Sequence, residues 1–229
     1  MDPSRRLGKV GLRAGILTAN CDEVRINISG HGGHAARPHE TSDPIAAAAQ
    51  LINAFYLYIP RVTDSQEAVV VTIGQVCGGE NANVIPEEVF LRGTIRSLDR
   101  DVRKQTMDHV CRLAEGVAQT TQTDIQVDFG VSSDAVDNDP ALIALLRQVA
   151  GEVVGTNGVE DISKASMGSE DFAFYLKHVP GAMLRLGCSS DRCGGSPLHT
   201  PMFDIDEEAL RIGAKILARA TIEQTSQCR

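Results

Sequence analysis

Between Gly30 and His39 the sequence reads Gly-His-Gly-Gly-His-Ala-Ala-Arg-Pro-His, three imidazoles and three glycines in ten residues. Imidazole can ligate a metal, carry a proton or donate a hydrogen bond near neutral pH, and glycines let backbone and ligand approach closely. The stretch reads as a catalytic or binding loop; a glycine-rich turn with solvated histidines is the competing reading. A second candidate is His199, in Ser196-Pro197-Leu198-His199-Thr200-Pro201, where two prolines stiffen the backbone around a lone imidazole. A third is Met167-Gly168-Ser169-Glu170-Asp171-Phe172. Its two acids could orient a metal-bound histidine, or could simply complement the dipole of a helix start capped by Ser169.

The elements around these residues follow from periodicity. Val24, Ile26 and Ile28 alternate with polar residues, which predicts a half-buried strand over 22–29. Asp43-Pro44 predicts a helix start, with Ile45, Ala48, Ala49, Ile52, Phe55, Tyr56 and Ile59 on one stripe ending at Pro60. Residues 68–76 and 88–96 read as paired strands about the turn Gly78-Gly79-Glu80-Asn81, with Arg92, Thr94 and Arg96 on the more polar face. A helix capped by Asp99 and an alternating strand from Ile125 to Val131 complete the order β-α-β-β-α-β, the ferredoxin-like arrangement.

A second region begins with a helix at Asn138-Asp139-Pro140. A short helix over 169–177, a buried strand over 182–186 and a terminal helix over 206–221 follow. The fold class is therefore α/β (α+β): residues 1–20 a linker or remnant, 21–132 the ferredoxin-like domain, 133–229 an α/β portion. One confident strand is too few to close a sheet, so Leu142, Leu146, Leu184 and Leu217 are expected to present uncovered apolar faces, with poor solubility and a protease-resistant core near 20–132.

The 229 residues, 42% hydrophobic, suit a globular protein, and a net charge of −8 argues against a nucleic-acid partner. The apolar run 45–59 is too short and too interrupted to span a bilayer, and no signal-peptide core forms near Met1, so no membrane partner and a cytoplasmic location are expected. Six cysteines, at 21, 77, 111, 188, 193 and 228, lack a disulfide framework and are expected as reduced thiols; a metal role for Cys188 and Cys193 near His199 lacks a Cys-x-x-Cys pair to support it.

Taken in order, Gly30 to Pro44, Asn81-Ala82-Asn83-Val84-Ile85-Pro86, Gly93-Thr94-Ile95-Arg96, Met167 to Phe172 and Leu198 to Glu207 resemble the metal-dependent amidohydrolases of the aminoacylase and carboxypeptidase superfamily. The similarity runs to the hippurate hydrolase, N-acyl-amino-acid and auxin-conjugate amidohydrolase branch, and covers the chain from about residue 10 to 224. The resemblance implies a catalytic domain holding two divalent metal ions, zinc or manganese, and a ferredoxin-like lid through which the protein forms a homodimer. Carried residue by residue, it implies His199 as a metal ligand and His34 as the lid imidazole that polarises the scissile carbonyl. Asn83 and Arg96 would hold the substrate, an N-acyl amino acid or similar small molecule. The family's Cys-Gly-His-Asp type motif, its Glu-Glu pair ahead of the lid and a further histidine have no counterpart in this sequence. The resemblance thus implies a truncated enzyme, inactive alone, whose upstream half is absent through truncation, a misplaced start or a split gene. A noncatalytic dimerisation module derived from the lid is the alternative, and a self-contained metal site of His31, His34, His39 and Asp43 a weaker third.

Overall fold

The computed structural model describes residues 1–227, so Cys228 lies outside the described residues. The chain opens with short strands β1 (Asp2–Arg6), β2 (Val10–Leu12) and β3 (Gly15–Ile16). Then come β4 (Asn20–Ser29), β5 (Gly33–His34), α1 (Pro44–Val62), β6 (Val69–Cys77), β7 (Val84–Ile85), β8 (Glu88–Ser97), α2 (Arg100–Thr121) and β9 (Asp124–Ser133). It closes with β10 (Asp137–Asn138), α3 (Pro140–Val154), β11 (Val159–Asp161), α4 (Ala173–Leu176), β12 (Arg185–Ser189) and α5 (Glu208–Gln227). Two compact units result: Thr18–Ala135 with Ser166–Glu170, and Met1–Leu17 with Val136–Ala165 and Asp171–Arg229.

The first of these is the ferredoxin-like unit. Its sheet runs β6-β8-β4-β9, antiparallel at every pair, and β4 and β8 are matched along their whole length from Asn20↔Ser97 to Ser29↔Glu88. The period of two seen in the sequence aims Val24, Ile26, Ile28, Val89, Leu91 and Ile95 at the helices. There they meet Ala47, Ala48, Leu51, Phe55 and Ile59 of α1 and Val110, Ala114 and Val117 of α2. Burying each large apolar side chain contributes roughly 1.5–3 kcal/mol, so this interface is the unit's main source of stability. Both helices begin on an aspartate cap: Asp43 accepts from the Ile45 and Ala46 amides, and Asp99 from those of Asp101 and Val102.

At one end of this sheet Asp22, 1% exposed, accepts from Arg103 Nε at 2.8 Å and Nη2 at 2.7 Å, and from Ser132 Oγ at 2.6 Å. Arg103 also donates to Asp134 at 2.7 Å, while Asn20 Oδ1 accepts from the Ala135 amide at 3.0 Å. The Asp22 carboxylate first, and Asp134 after it, hold the guanidinium charged well above its ordinary range against the opposing effect of burial. On the opposite face of the same strand Glu23 accepts from Arg92 and Arg25, both at 2.6 Å.

In the α/β unit the structure corrects the expectation of a single strand: a four-stranded sheet is present, in the order β1-β12-β2-β11. β1 pairs parallel to β12, β12 antiparallel to β2, and β2 parallel to β11. Two of these strands come from residues ahead of Leu17, where the sequence offered no strand signal. Val10, Leu12, Leu186 and Cys188 pack against Ile143, Leu146, Val149 and Ala150 of α3 and against Ala209 and Ile216 of α5. The expectation of uncovered leucines is thereby divided. Leu146 is buried, whereas Leu217 is 61% exposed beside an open apolar groove of about 480 Å³ whose lining includes Leu184, Leu186 and Leu210. Cys21, Cys77, Cys111, Cys188 and Cys193 are free thiols. Among the described residues no helix is long and apolar enough to cross a membrane.

Candidate functional site

The glycine-rich loop is fastened along both sides. The Gly30 amide donates to the Glu87 carbonyl at 2.8 Å, His31 and Ser42 exchange both backbone bonds, and Gly33 and His34 pair with Ile85 and Val84. The glycines are required by close approach: a Cβ at Gly30 would stand 2.0 Å from the Ser42 carbonyl oxygen, and one at Gly32 2.6 Å from that of Ile85. Residues 30–42 are thus pressed between two strands of backbone, and the exposed His34 ring is carried on a segment whose own main chain is pinned.

Asn83 belongs to the same construction. Its carbonyl accepts from the Ala35 amide at 3.0 Å, while its side chain is exposed one residue from Val84, the partner of His34. Arg96 lies on β8, paired with Cys21 and Val70, and its Nη1 donates to the Met167 carbonyl at 3.0 Å. The segment that Arg96 holds is also tied to the start of β4, through the Ala19 amide on the Gly168 carbonyl at 2.9 Å and the Thr18–Ser166 bridge. The short helix expected over 169–177 accordingly shrinks to Ala173–Leu176, with no side-chain cap from Ser169. Just before it Asp171 and Phe172 form a turn, closed by the Phe174 amide donating to the Asp171 carbonyl at 3.0 Å, and the bridge upstream is confined to Ser166.

His199 lies in the α/β unit, exposed and in the left-handed region with φ +64°. A non-glycine residue held there stores of order 1 kcal/mol of strain, which the turn around it must offset. Thr200 Oγ1 donates to the Pro197 carbonyl at 2.8 Å and the Phe203 amide to the Thr200 carbonyl at 3.0 Å. The loop's ends are stitched as well. The Asp206 amide donates to the Cys188 carbonyl at 2.9 Å, and its carboxyl is held below the ordinary range by the Ser190 hydroxyl and then by the Glu208 amide. Neither the Ser190–Asp206 stitch nor the bond from Arg96 to Met167 carries any sequence signature, since each joins residues of no special spacing.

Of the residues singled out in the sequence, His34 and Asn83 are brought together across the β5–β7 pairing, Arg96 stands on the neighbouring sheet, and His199 belongs to the other unit. Among the described residues no three His, Cys, Asp or Glu side chains converge as a metal site. This overturns the self-contained site of His31, His34, His39 and Asp43, and Asp43 is in any case occupied as the cap of α1. The described residues of this span do not by themselves fit a two-metal group: His199 offers one imidazole, and two ions need several converging donors.

Comparison with known proteins gives the wider setting. Peptidase family M20/M25/M40 matches residues 2–223. A Synechocystis protein named "Probable hydrolase" is 39% identical over 219 residues, covering 95% of this chain and 56% of its own length. N-acetyl-L-cysteine deacetylase of Bacillus subtilis is 34% identical over 209 residues, covering 91% of this chain and 48% of its own. Among solved structures, a Bacillus subtilis dinuclear metal binding peptidase from the M20 family superimposes with a TM-score of 0.73 at 28% identity, covering 96% of this chain and 54% of that one. The chain spans about half the length of the relatives it matches.

Proposed function

The chain belongs to peptidase family M20/M25/M40, and from that premise we infer that it carries part of a metal-dependent amidohydrolase acting on the amide bond of N-acyl amino acids. The observation that carries this reading is the fastened loop, which presents the His34 imidazole on a main chain pinned to Val84 and Ile85. In this reading the ferredoxin-like unit, Thr18–Ala135 with Ser166–Glu170, is the lid, and the α/β unit, which includes Met1–Leu17, belongs to the catalytic domain. The enzyme's small-molecule substrate has two features to be recognised, a carbonyl that becomes an oxyanion and a carboxylate. His34 donates a hydrogen bond to the carbonyl oxygen as negative charge develops there, an interaction worth roughly 3–4 kcal/mol of barrier when the donor is preorganised. Arg96 and Asn83 hold the rest of the substrate, Arg96 as the fixed cation opposite a carboxylate.

Two divalent cations, zinc or manganese, belong to the complete enzyme, with His199 as this span's contribution to their coordination. No metal-centred step is assigned to the 229 residues themselves, because the described residues supply no converging donor set. The hippurate, N-acyl-amino-acid and auxin-conjugate branch remains the preferred substrate range, and the lid is the surface through which a homodimer forms.

Replacing the matching span of the Bacillus subtilis N-acetyl-L-cysteine deacetylase by residues 2–223 tests the reading. The chimera is expected to hydrolyse N-acetyl amino acids, and the 229-residue chain alone to leave them intact. A folded, metal-loaded chimera without turnover would contradict it. The missing donor set also favours a second reading, a noncatalytic dimerisation module, which requires a dimer in sedimentation together with an inactive chimera.

A further inference from the structure

The turn that carries His34 accounts for its backbone donors one by one. The Ala35 amide donates to the Asn83 carbonyl at 3.0 Å and the Arg37 amide to the His34 carbonyl at 2.8 Å. The Ala36 amide between them donates to a side chain, His34 Nδ1, at 3.1 Å. A ring nitrogen that accepts a hydrogen bond carries no proton, so in the neutral imidazole the proton must sit on the other nitrogen.

We propose that the Ala36 amide is the positioning group that fixes the His34 tautomer, holding Nδ1 as an acceptor and Nε2–H as an outward donor. Two separate pieces of the chain make this possible. The β5–β7 pairing and the Asn83 carbonyl hold the main chain of residues 33–35, so the Ala36 amide cannot drift from the ring it serves. The close approaches at Gly30 and Gly32 hold the loop's other end against Ser42 and Ile85. The ring is thereby locked in one direction by a main-chain donor, where many functional histidines rely on a carboxylate or carbonyl that accepts from Nδ1–H. The consequence is a difference in polarity: a carboxylate partner would leave Nε2 as an acceptor suited to a base or metal ligand, whereas an amide partner leaves Nε2–H as a donor. The choice of partner therefore suits His34 to the electrostatic role of an oxyanion donor and unsuits it to proton abstraction through Nε2. This inference rests on the assignment of His34 to the substrate carbonyl only for its purpose. The tautomer itself is a property of the free chain.

Long-range proton–nitrogen correlation spectra of the imidazole-labelled 229-residue chain, at a pH where its histidines are neutral, test it. The His34 signals are identified by their loss in H34Q, and exposed His31 serves as the solvated reference. His34 is expected to show a protonated Nε2 and a bare Nδ1, its minor tautomer depleted about fivefold relative to His31, the ratio that one net hydrogen bond supplies. A36G, which keeps the amide, should preserve that depletion, while A36P, which removes it, should return His34 to the His31 ratio. The Ala36 amide resonance should also move with ring protonation in the unmodified chain, a readout that needs no variant to fold. A His34 ring with the proton on Nδ1, a ratio equal to that of His31, or an Ala36 amide insensitive to the titration would each overturn the proposal. None of these readings involves substrate, so an H34Q chimera with full activity would sink the oxyanion role and leave the tautomer assignment standing.

Discussion

Removing Asp22 from the base of the ferredoxin-like unit has a magnitude that the structure sets. The carboxylate is 1% exposed and takes two charge-assisted bonds from Arg103, at 2.8 and 2.7 Å, with a third bond from Ser132 Oγ. Deleting one partner of a buried pair costs about 3–5 kcal/mol, chiefly because the other charge is left uncompensated. In D22A the guanidinium keeps Asp134 at 2.7 Å, so the loss should fall at the lower end, about 3 kcal/mol. In R103M the Asp22 carboxylate keeps only the Ser132 hydroxyl, so the loss should approach about 5 kcal/mol. The double variant removes both charges and should lose less than the sum by about 2 kcal/mol, as coupled neighbours do. Native-state hydrogen exchange at the buried strand residues Ile26 and Leu91 reports this unit separately from the α/β unit, which matters because two units need not unfold in one step. A D22A loss under about 1 kcal/mol, or strictly additive losses in the double variant, would refute the reasoning that an uncompensated buried charge sets the cost.

Other consequences are smaller or more local. Glu23, held at about 2 by its hydrogen bonds to Arg92 and then Arg25, has a folded value below its ordinary 4.5. Its stabilisation is therefore complete above pH 4.5 and lost as pH falls toward 2, so E23Q should flatten that part of the urea-midpoint profile; an unchanged slope would count against the pairing. Gly30→Ala should destabilise the loop by about 3 kcal/mol, because its Cβ would stand 2.0 Å from a main-chain oxygen, and thermal unfolding would expose the error if the midpoint did not move. Leu217→Lys, at a position 61% exposed beside the apolar groove, should change stability by no more than about 0.5 kcal/mol while reducing self-association in light scattering.

The ferredoxin-like unit was largely legible because its strands are half-buried, and a half-buried strand writes its period into the sequence. Val24, Ile26 and Ile28 marked β4, which begins two residues earlier than expected because Asn20 and Asp22 continue the inward face as buried polar residues. Aspartate caps at 43 and 99 marked both helix starts. The α/β unit hid its strands for definite reasons. Val10–Leu12 is only three residues long and buried throughout, too short to show a period, and Asp2–Arg6 is polar because it lies at a sheet edge. The strand expected over 182–186 is Arg185–Ser189 instead. Met183 is drawn out of the sheet by the Asn138 side chain, which accepts from its amide at 2.7 Å and donates to its carbonyl at 3.0 Å. Within the candidate site, glycine and histidine spacing disclosed the loop and proline spacing the His199 turn. The bonds that hold them, from Ala36 to His34 and from Ser190 to Asp206, depend on the folded path of the chain.

The most direct test of the functional account is the turnover of the deacetylase chimera with His34→Gln compared with the chimera carrying His34. Loss of a preorganised donor to the oxyanion should lower kcat by about 10²–10³-fold, with metal content and KM little altered. A kcat within about threefold of the parent chimera, far short of what such a donor supplies, would contradict the claim that this imidazole stabilises the reacting carbonyl.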